Sequence, residues 1–432
     1  MYRIIRISAN STKPLYINFG ILILTSVKKG NKKKIIQSFS VSTSSSKKCD
    51  VVIIGGGIIG LNIARKVAAE NSSVVLIEKG EIGSGTSGHF HELLHSGARY
   101  AVHDPIAAKE CYEANRALCD KNSIVKDAIV QTGGLFLALN DSDIAYSEEL
   151  VTTCRKIGIP IDEIDISSVI AQEPRITKSI KRALHVPDGF IDGKKALHSN
   201  YTIAKEYGVD FLVHHEVIGF NKSQQNIESI TVRNAKGNEQ KISCNFVINA
   251  TGAWAGRVGK LVDVDIPLLP YRGVMLDFQG LLCTRVINRC HKPANGDIFV
   301  PARTHTIFGT TATQTNELDN FEAKIAEVKL LLSEGEQLIP GLSKYPIVKK
   351  YAGVRPLYAN SIEAFEGREI SRSFAIINHK DADGINNFIS VIGGKFTIYE
   401  LMGDKAIQVM NSILLQADKS DSTTAKYDPQ IF

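Results

Sequence analysis

The sequence predicts an α/β protein in which a parallel, helix-flanked sheet is interleaved with a mixed antiparallel sheet. Three observations carry that reading: a strand, glycine turn, helix and second strand near residue 50; two further strand-to-glycine junctions far downstream; and short strands between them. The first unit is Asp50-Val51-Val52-Ile53-Ile54-Gly55-Gly56-Gly57-Ile58-Ile59-Gly60, followed by Val74-Val75-Leu76-Ile77-Glu78. The β-branched run at 51–54 suits a buried strand. Glycines at 55, 57 and 60 allow a tight turn and let backbone approach a pyrophosphate at the N-terminus of the next helix. Glu78 ends the second strand eighteen positions after Gly60, close to the spacing at which an acid takes the ribose hydroxyls of an adenine dinucleotide.

The remaining elements follow in order. Residues 83–89, Gly-Ser-Gly-Thr-Ser-Gly-His, form a small, flexible loop of hydroxyls and backbone N–H groups. Periodicity predicts helices over 105–122 and 143–158, with a glycine-led strand over 133–139 between them. Pro187-Asp188-Gly189 is a turn that returns the chain to the first sheet. A helix over 195–207 precedes a strand at 209–214, and 227–232 with 240–243 make an antiparallel excursion. Phe246-Val247-Ile248-Asn249-Ala250-Thr251-Gly252 is a second strand-to-glycine junction. Short strands fill 267–309, and 317–336 is an amphipathic helix. Ile389-Ser390-Val391-Ile392-Gly393-Gly394-Lys395 is the third junction, before a helix from Tyr399 to about Leu415. The expected division is therefore discontinuous: a cofactor domain from 49–135, 185–255 and 350–415, and a substrate domain from 136–184 and 256–349. Residues 416–432 read as a polar, disordered tail. A ligand belongs in the crevice between the domains.

Charge narrows the function. Residues 1–48 carry ten Lys or Arg and no acid, leaving 41 basic against 45 acidic residues, a net of −4, in the body. Bulk charge therefore excludes the body as a nucleic-acid binder. A basic, Ser-rich, acid-free leader is the composition of a mitochondrial transit peptide, so the expected location is mitochondrial, associated with the inner membrane, with a cytoplasmic location as the alternative. The apolar run at 15–27 is too short to span a bilayer. The seven cysteines, at 49, 111, 119, 154, 244, 283 and 290, have neither CxxC nor zinc spacing, and read as reduced thiols with no metal site. Asp381-Ala382-Asp383-Gly384 begins like a calcium loop, but its twelfth position is Ile392, so an Asp-Gly turn is expected.

Three separated motifs make the chain recognisable. Gly88-His89-Phe90-His91-Glu92-Leu93-Leu94-His95-Ser96-Gly97-Ala98-Arg99-Tyr100, with Tyr351-Ala352-Gly353-Val354-Arg355-Pro356-Leu357 and Gly393-Gly394-Lys395-Phe396-Thr397-Ile398-Tyr399, resembles the FAD-dependent glycerol-3-phosphate dehydrogenases. Within them it looks most like the catalytic polypeptide of the bacterial anaerobic enzyme, which Val286-Ile287-Asn288-Arg289-Cys290 also resembles. The resemblance covers roughly residues 49–410. It implies an FAD-binding Rossmann-like domain of the glutathione-reductase type 2, D-amino-acid oxidase-like class. The implied reaction is oxidation of sn-glycerol 3-phosphate to dihydroxyacetone phosphate, with electrons passed to a quinone and a peripheral membrane association.

Such chemistry needs a base for the hydroxyl proton and cations for a phosphate dianion beside the flavin. His95 is the candidate base, because an imidazole takes a proton near neutral pH. The resemblance implies Arg355 and Lys395 as candidate catalytic cations, and Arg99, Tyr100 and Arg372 as candidate substrate contacts. Arg272 has apolar neighbours but no motif. For FAD, the resemblance implies Gly55, Gly57, Gly60, Glu78, Lys79, Thr86, Ser87, Gly88, His89, Val217, Gly252, Gly394 and Thr397. His214 and His215 read as structural. The aerobic branch carries a histidine where this chain has Met275, which shifts proton abstraction onto His95. The anaerobic polypeptide continues into a cysteine-rich region beyond the point where this sequence stops, so an iron–sulfur exit through this chain is not expected. The rival enzymatic reading is a related FAD enzyme acting on a 2-hydroxy acid such as L-2-hydroxyglutarate, and the rival of another class is a flavin-loaded protein without turnover of its own.

Overall fold

Alternation along the first strand sets up the first layer. Val51 and Ile53 point into one core with Leu61 and Ile63 of the following helix, while Val52 and Ile54 point into a second core with Ile242 and Val247. Both faces are apolar because the strand lies inside a parallel sheet, between Glu239–Asn249 and Val74–Glu78. In this computed structural model, which describes residues 47–358 and 373–424 with side chains through Gln416, that sheet has eight strands. Its path is His215–Ser223, Asn226–Asn234, Glu239–Asn249, Lys47–Ile54, Val74–Glu78, Asp210–Val213. Phe388–Gly393 pairs in parallel with residues 247–249, and Phe374–Asn378 lies antiparallel outside it. The three glycine junctions thus fall at the carboxyl ends of neighbouring parallel strands, where open α/β sheets bind ligands.

The second layer is a nine-stranded mixed sheet. Its longest pairing runs antiparallel between Leu268–Gln279 and Ile347–Tyr358, and Gly134–Ala138 lies parallel to Val286–Arg289. Phe299 and Phe308, stacked at 4.0 Å, anchor its core. A small sheet of Leu93–Leu94, Gly189–Ile191 and Ile129–Val130 forms a third pairing unit.

Several expectations change. Ile347–Tyr358 is hydrogen-bonded into the second sheet, whereas the sequence-based division puts residues from 350 onward with the first. The helix expected over 317–336 begins only at Ile325, because Asp319 is engaged with Trp254 and Phe321 with His89. The excursion and second junction, expected as separate strands, form one strand, Glu239–Asn249, whose first half pairs with Asn226–Asn234 and whose last half pairs with Phe388–Gly393. The closing helix runs from Tyr399 to Thr424, past the expected end near Leu415 and into the expected tail. Lys47 and Lys48 belong to the first strand rather than the leader. The rest of the leader, Arg372 and residues 425–432 lie outside the described residues. Asp381 and Asp383 sit in a one-turn helix, His379–Asp383, closed by Gly384 at φ +72° in place of a simple turn. Among the described residues no helix is long and apolar enough to cross a membrane, and no His/Cys/Asp/Glu group is placed to hold a metal ion. All seven cysteines are free.

A buried polar chain ties the second and third junctions together. Asn249 Nδ2 donates to Ser390 Oγ at 3.2 Å, His379 Nε2 meets Ser390 Oγ at 2.8 Å, and His379 Nδ1 meets Asp383 at 2.6 Å. Burial lowers the His379 pKa, against the opposing pull of Asp383. The unfolded chain therefore binds a proton that the folded chain refuses, so this histidine's contribution is complete above about pH 6.5 and declines as pH falls below it. His379→Gln should lower the thermal midpoint at pH 7.5, and its gap from wild type should narrow toward pH 5. A gap that widens on acidification would contradict the buried neutral imidazole.

Candidate functional site

A cavity of about 1290 Å³ runs along the carboxyl ends of the parallel strands and on to the second sheet. It exceeds the roughly 300–1,000 Å³ that encloses a small ligand, and suits a long one with room for a second molecule.

Glycine geometry shapes one end. Gly55 has φ +110°, and a Cβ there would lie 2.6 Å from the Ala250 carbonyl oxygen. Gly57 precedes Ile58–Ala69, whose first turn has no side-chain cap from its own N-cap residue. Ser87 Oγ accepts from Ile58 N at 3.1 Å, which brings the 83–89 loop to the helix start, where unsatisfied N–H groups attract a phosphate. Glu78 is held by the amides of Gly56 and Gly80, each at 2.7 Å, and lines the cavity with Val217, Gly252 and His215. Gly394 and Thr397 line it from the third junction. The Thr397 hydroxyl is buried and has no partner among the described residues, so it offers a hydrogen bond for a ligand to take. A dinucleotide fits this donor set.

Three of the expected cofactor residues also have contacts within the protein. Gly60 does not line the cavity; a Cβ there would lie 1.9 Å from Gly55 O, so its role is to let helix meet strand. Gly88 is likewise a turn residue, with Gly83 O 2.5 Å from a would-be Cβ. Lys79 lines the cavity, but its ammonium pairs with Asp319 at 2.8 Å above the Trp254 ring. Asp319 also accepts from Trp254 Nε1 at 2.8 Å and Arg257 Nη1 at 2.7 Å. Two residues on, Phe321 stacks on His89 at 4.2 Å. Residues 319–321 therefore form a strap along the cavity wall.

The other end gathers charge. His91, His95, Arg99, Tyr100, Arg355 and Lys395 all line the cavity, as does the buried Met275. His95 is buried between the rings of His91 at 5.3 Å and Tyr100 at 5.2 Å. Arg99 Nη2 is hydrogen-bonded to the buried Asp297, while its Nη1 is buried without a partner among the described residues. Burial would raise the Asp297 carboxyl, but Arg99 and His291 outweigh it and hold the group well below the usual carboxylate range. The Arg355 guanidinium lies on Gly273, where a Cβ would come within 2.4 Å of Nη2, and donates to Thr311 O at 3.1 Å and to the Thr310 hydroxyl. Lys395 Nζ sits 4.4 Å from the centre of the Tyr100 ring. Burial raises the Glu110 carboxyl, while Ser373 and Lys395 oppose the rise.

Arg272, by contrast, is a buried structural cation bonded to Glu327 and to Glu322 O, away from the cavity. His214 pairs with Glu81 at 3.0 Å, outside the cavity, whereas His215, expected to be structural, is in its wall. Sequence reasoning missed His91, His103 and Lys292 as lining residues, and Asp297 and Asp319 as anchors. His91 stands inside a quoted motif; Asp297 and Asp319 act across long separations that no local spacing signals.

Comparison with known proteins gives the relationship. Residues 50–386 match the family described as FAD dependent oxidoreductase. The chain is 36% identical over 369 residues to the A polypeptide of the anaerobic glycerol-3-phosphate dehydrogenase of Escherichia coli, covering 85% of this chain and 67% of that protein. It is 35% identical to the A1 polypeptide of the anaerobic glycerol-3-phosphate dehydrogenase of the archaeon Haloferax volcanii, over 83% of this chain and 63% of that one. The chain thus spans about two thirds of these relatives' length. In fold it resembles L-α-glycerophosphate oxidase from Mycoplasma pneumoniae, solved with FAD bound, with TM-score 0.70, 18% identity and coverage of 84% of this chain and 95% of that one. These relatives overturn the mitochondrial expectation: at 35–36% identity they are bacterial and archaeal, and the match begins at residue 50, after the leader. A basic, acid-free composition does not by itself specify an address.

Trp254 is the chain's one tryptophan, so its emission reports the strap directly. Burial opposes ionisation of Asp319, yet hydrogen bonds from Lys79, Arg257 and Trp254 bring it down to about 2, so the latch should hold at any pH above about 3. Asp319→Ala is expected to red-shift Trp254 emission and increase its quenching by acrylamide. Unchanged emission would remove the latch.

Proposed function

The chain belongs to the FAD-dependent oxidoreductase family and is a relative of the anaerobic glycerol-3-phosphate dehydrogenases, and from that premise we propose that it oxidises sn-glycerol 3-phosphate to dihydroxyacetone phosphate. The carrying observation is the convergence of Arg99, Arg355 and Lys395 with two histidines on one cavity whose far end is the dinucleotide turn. Cations gathered in a partly dry wall favour an anionic ligand. A phosphate dianion on a small alcohol answers them.

The residues divide the work. Gly55, Gly57 and the first-turn amides of Ile58–Ala69 would hold the FAD pyrophosphate, Glu78 the ribose, and Thr397 a polar atom of the cofactor. FAD held there would supply the hydride acceptor that oxidation at C2 of the substrate needs. His95 takes the hydroxyl proton. Arg355 and Lys395 hold the oxygen as its charge grows, and Arg99 Nη1, with Tyr100 beside it, takes the phosphate. Arg372, outside the described residues, is retained in the proposal as a further cation. The discontinuous division into cofactor and substrate layers belongs to the same proposal, with Ile347–Tyr358 counted in the second. So does delivery of electrons to a quinone through peripheral membrane contact, which the resemblance of residues 88–100 to that family supports.

Mixing the FAD-loaded protein anaerobically with glycerol 3-phosphate should bleach the flavin band near ~450 nm. Bleaching by L-2-hydroxyglutarate instead would sink the substrate reading. Arg355→Ala and Lys395→Ala should each lower kcat/KM about 10²- to 10³-fold, in line with losing one partner of a desolvated charge contact, while bound FAD stays near wild type. Variants that keep full kcat/KM would contradict the assignment.

A further inference from the structure

His91 takes no part in the division of work among His95, Arg355 and Lys395, yet it lines the cavity with His95, Arg99 and Arg355. Its Nδ1 accepts the Leu93 backbone N–H at 3.1 Å. A ring nitrogen that accepts must hold its lone pair, so the proton of the neutral ring is on Nε2. Nε2 has no hydrogen-bond partner among the described residues.

Its surroundings fix both the ring and its charge. Tyr351 Oη donates to Phe90 O at 3.2 Å, and His89 Nδ1 donates to Gly85 O at 2.9 Å, so the backbone leading to His91 is pinned. Glu92 follows in the left-handed region at φ +57°, a conformation that disfavours a side chain, with its carboxylate accepting from Gly193 N at 3.2 Å. The His91 ring meets that of His95 edge-on at 5.3 Å. Burial, reinforced by Arg355 and Arg99, pushes the His91 pKa down to about 3. The lowering favours a neutral ring near pH 7.

We propose that His91 is a second catalytic imidazole, a fixed neutral donor whose Nε2–H binds the substrate oxygen while His95 removes that oxygen's proton. The inference rests on the alcohol-oxidation reading above. The balance is simple: C2 gives up a hydride to the acceptor, the hydroxyl gives its proton to His95, and His91 neither gains nor loses one. A cation here would face Arg355 and Arg99. A neutral imidazole can still polarise an oxygen that is becoming a carbonyl. It also cannot serve as the base, because Nδ1 is occupied and Nε2 already carries a proton.

The test compares wild type with His91→Gln, which keeps a neutral donor, and His91→Phe, which removes it, all FAD-loaded. Bound FAD should match wild type in both. Anaerobic flavin reduction by glycerol 3-phosphate should slow about 10²-fold in His91→Phe and no more than about tenfold in His91→Gln, the loss expected for one oxyanion donor. The pH at which reduction is half-maximal should be the same in all three. Nitrogen-15 spectra of histidine-labelled wild type should show His91 as the neutral Nε2–H form down to pH 5. Wild-type rates in His91→Phe would overturn the proposal, as would loss of the acid limb in His91→Gln or a protonated His91 at pH 6. If wild type itself is not reduced by glycerol 3-phosphate, the substrate reading falls and the tautomer spectrum alone decides the donor.

Discussion

One backbone contact brings the two layers into register. A Cβ at Gly353 would sit 1.9 Å from the His89 carbonyl oxygen, so the strand Ile347–Tyr358 and the loop after the first parallel strands touch with nothing between them. Thr86 Oγ1, donating to Val354 O at 2.7 Å, and Tyr351 Oη, donating to Phe90 O, fasten the same seam. Two residues beyond Gly353 is Arg355, and two beyond His89 is His91. The seam therefore places a cation from the second sheet beside imidazoles carried by the segment that follows the 83–89 loop. A glycine here is a steric requirement, and a rigid strand supplies the precision that a loop alone does not.

Charge is gathered around that seam. Asp297 answers half of the Arg99 guanidinium, and Glu110 lies near Lys395, but among the described residues Arg99 Nη1 remains buried without a partner. Leaving a buried charged donor unsatisfied is destabilising unless a ligand completes it. Arg272 is the counterexample: also buried, it is bonded to Glu327 and Glu322 O and lies outside the cavity. The difference between these arginines separates a structural ion pair from a binding site better than burial or local sequence does.

What was legible in the sequence was local. The turn from Gly55 to Gly60, the acid at Glu78 and the junctions at Gly252 and Gly394 are contiguous signals, and all follow from strand period and glycine stereochemistry. The motif around His95 and Arg99 located the charged end of the cavity. What was not legible depends on distant partners. Residues 317–324 carry a helical pattern but are drawn into a strap because Asp319 meets Lys79, Trp254 and Arg257. Lys79 beside Glu78 read as a cofactor contact for want of that same partner. At Gly60 and Gly88 the missing Cβ atoms make room for the carbonyl oxygens of Gly55 and Gly83, which the sequence motif alone did not reveal. Ile347–Tyr358 fell in the wrong layer because its pairing with Leu268–Gln279 is set across some eighty residues.

The most direct test of the account is the seam itself. In Gly353→Ala, a Cβ must displace His89 O, shifting Arg355 relative to His91 and His95 while leaving the turn at Gly55 and the acid at Glu78 untouched. The limiting rate of anaerobic flavin reduction by glycerol 3-phosphate in that variant should fall about 10²-fold or more with FAD still bound, as expected for a misplacement of about 1 Å. A wild-type rate would contradict the claim that this contact positions the site.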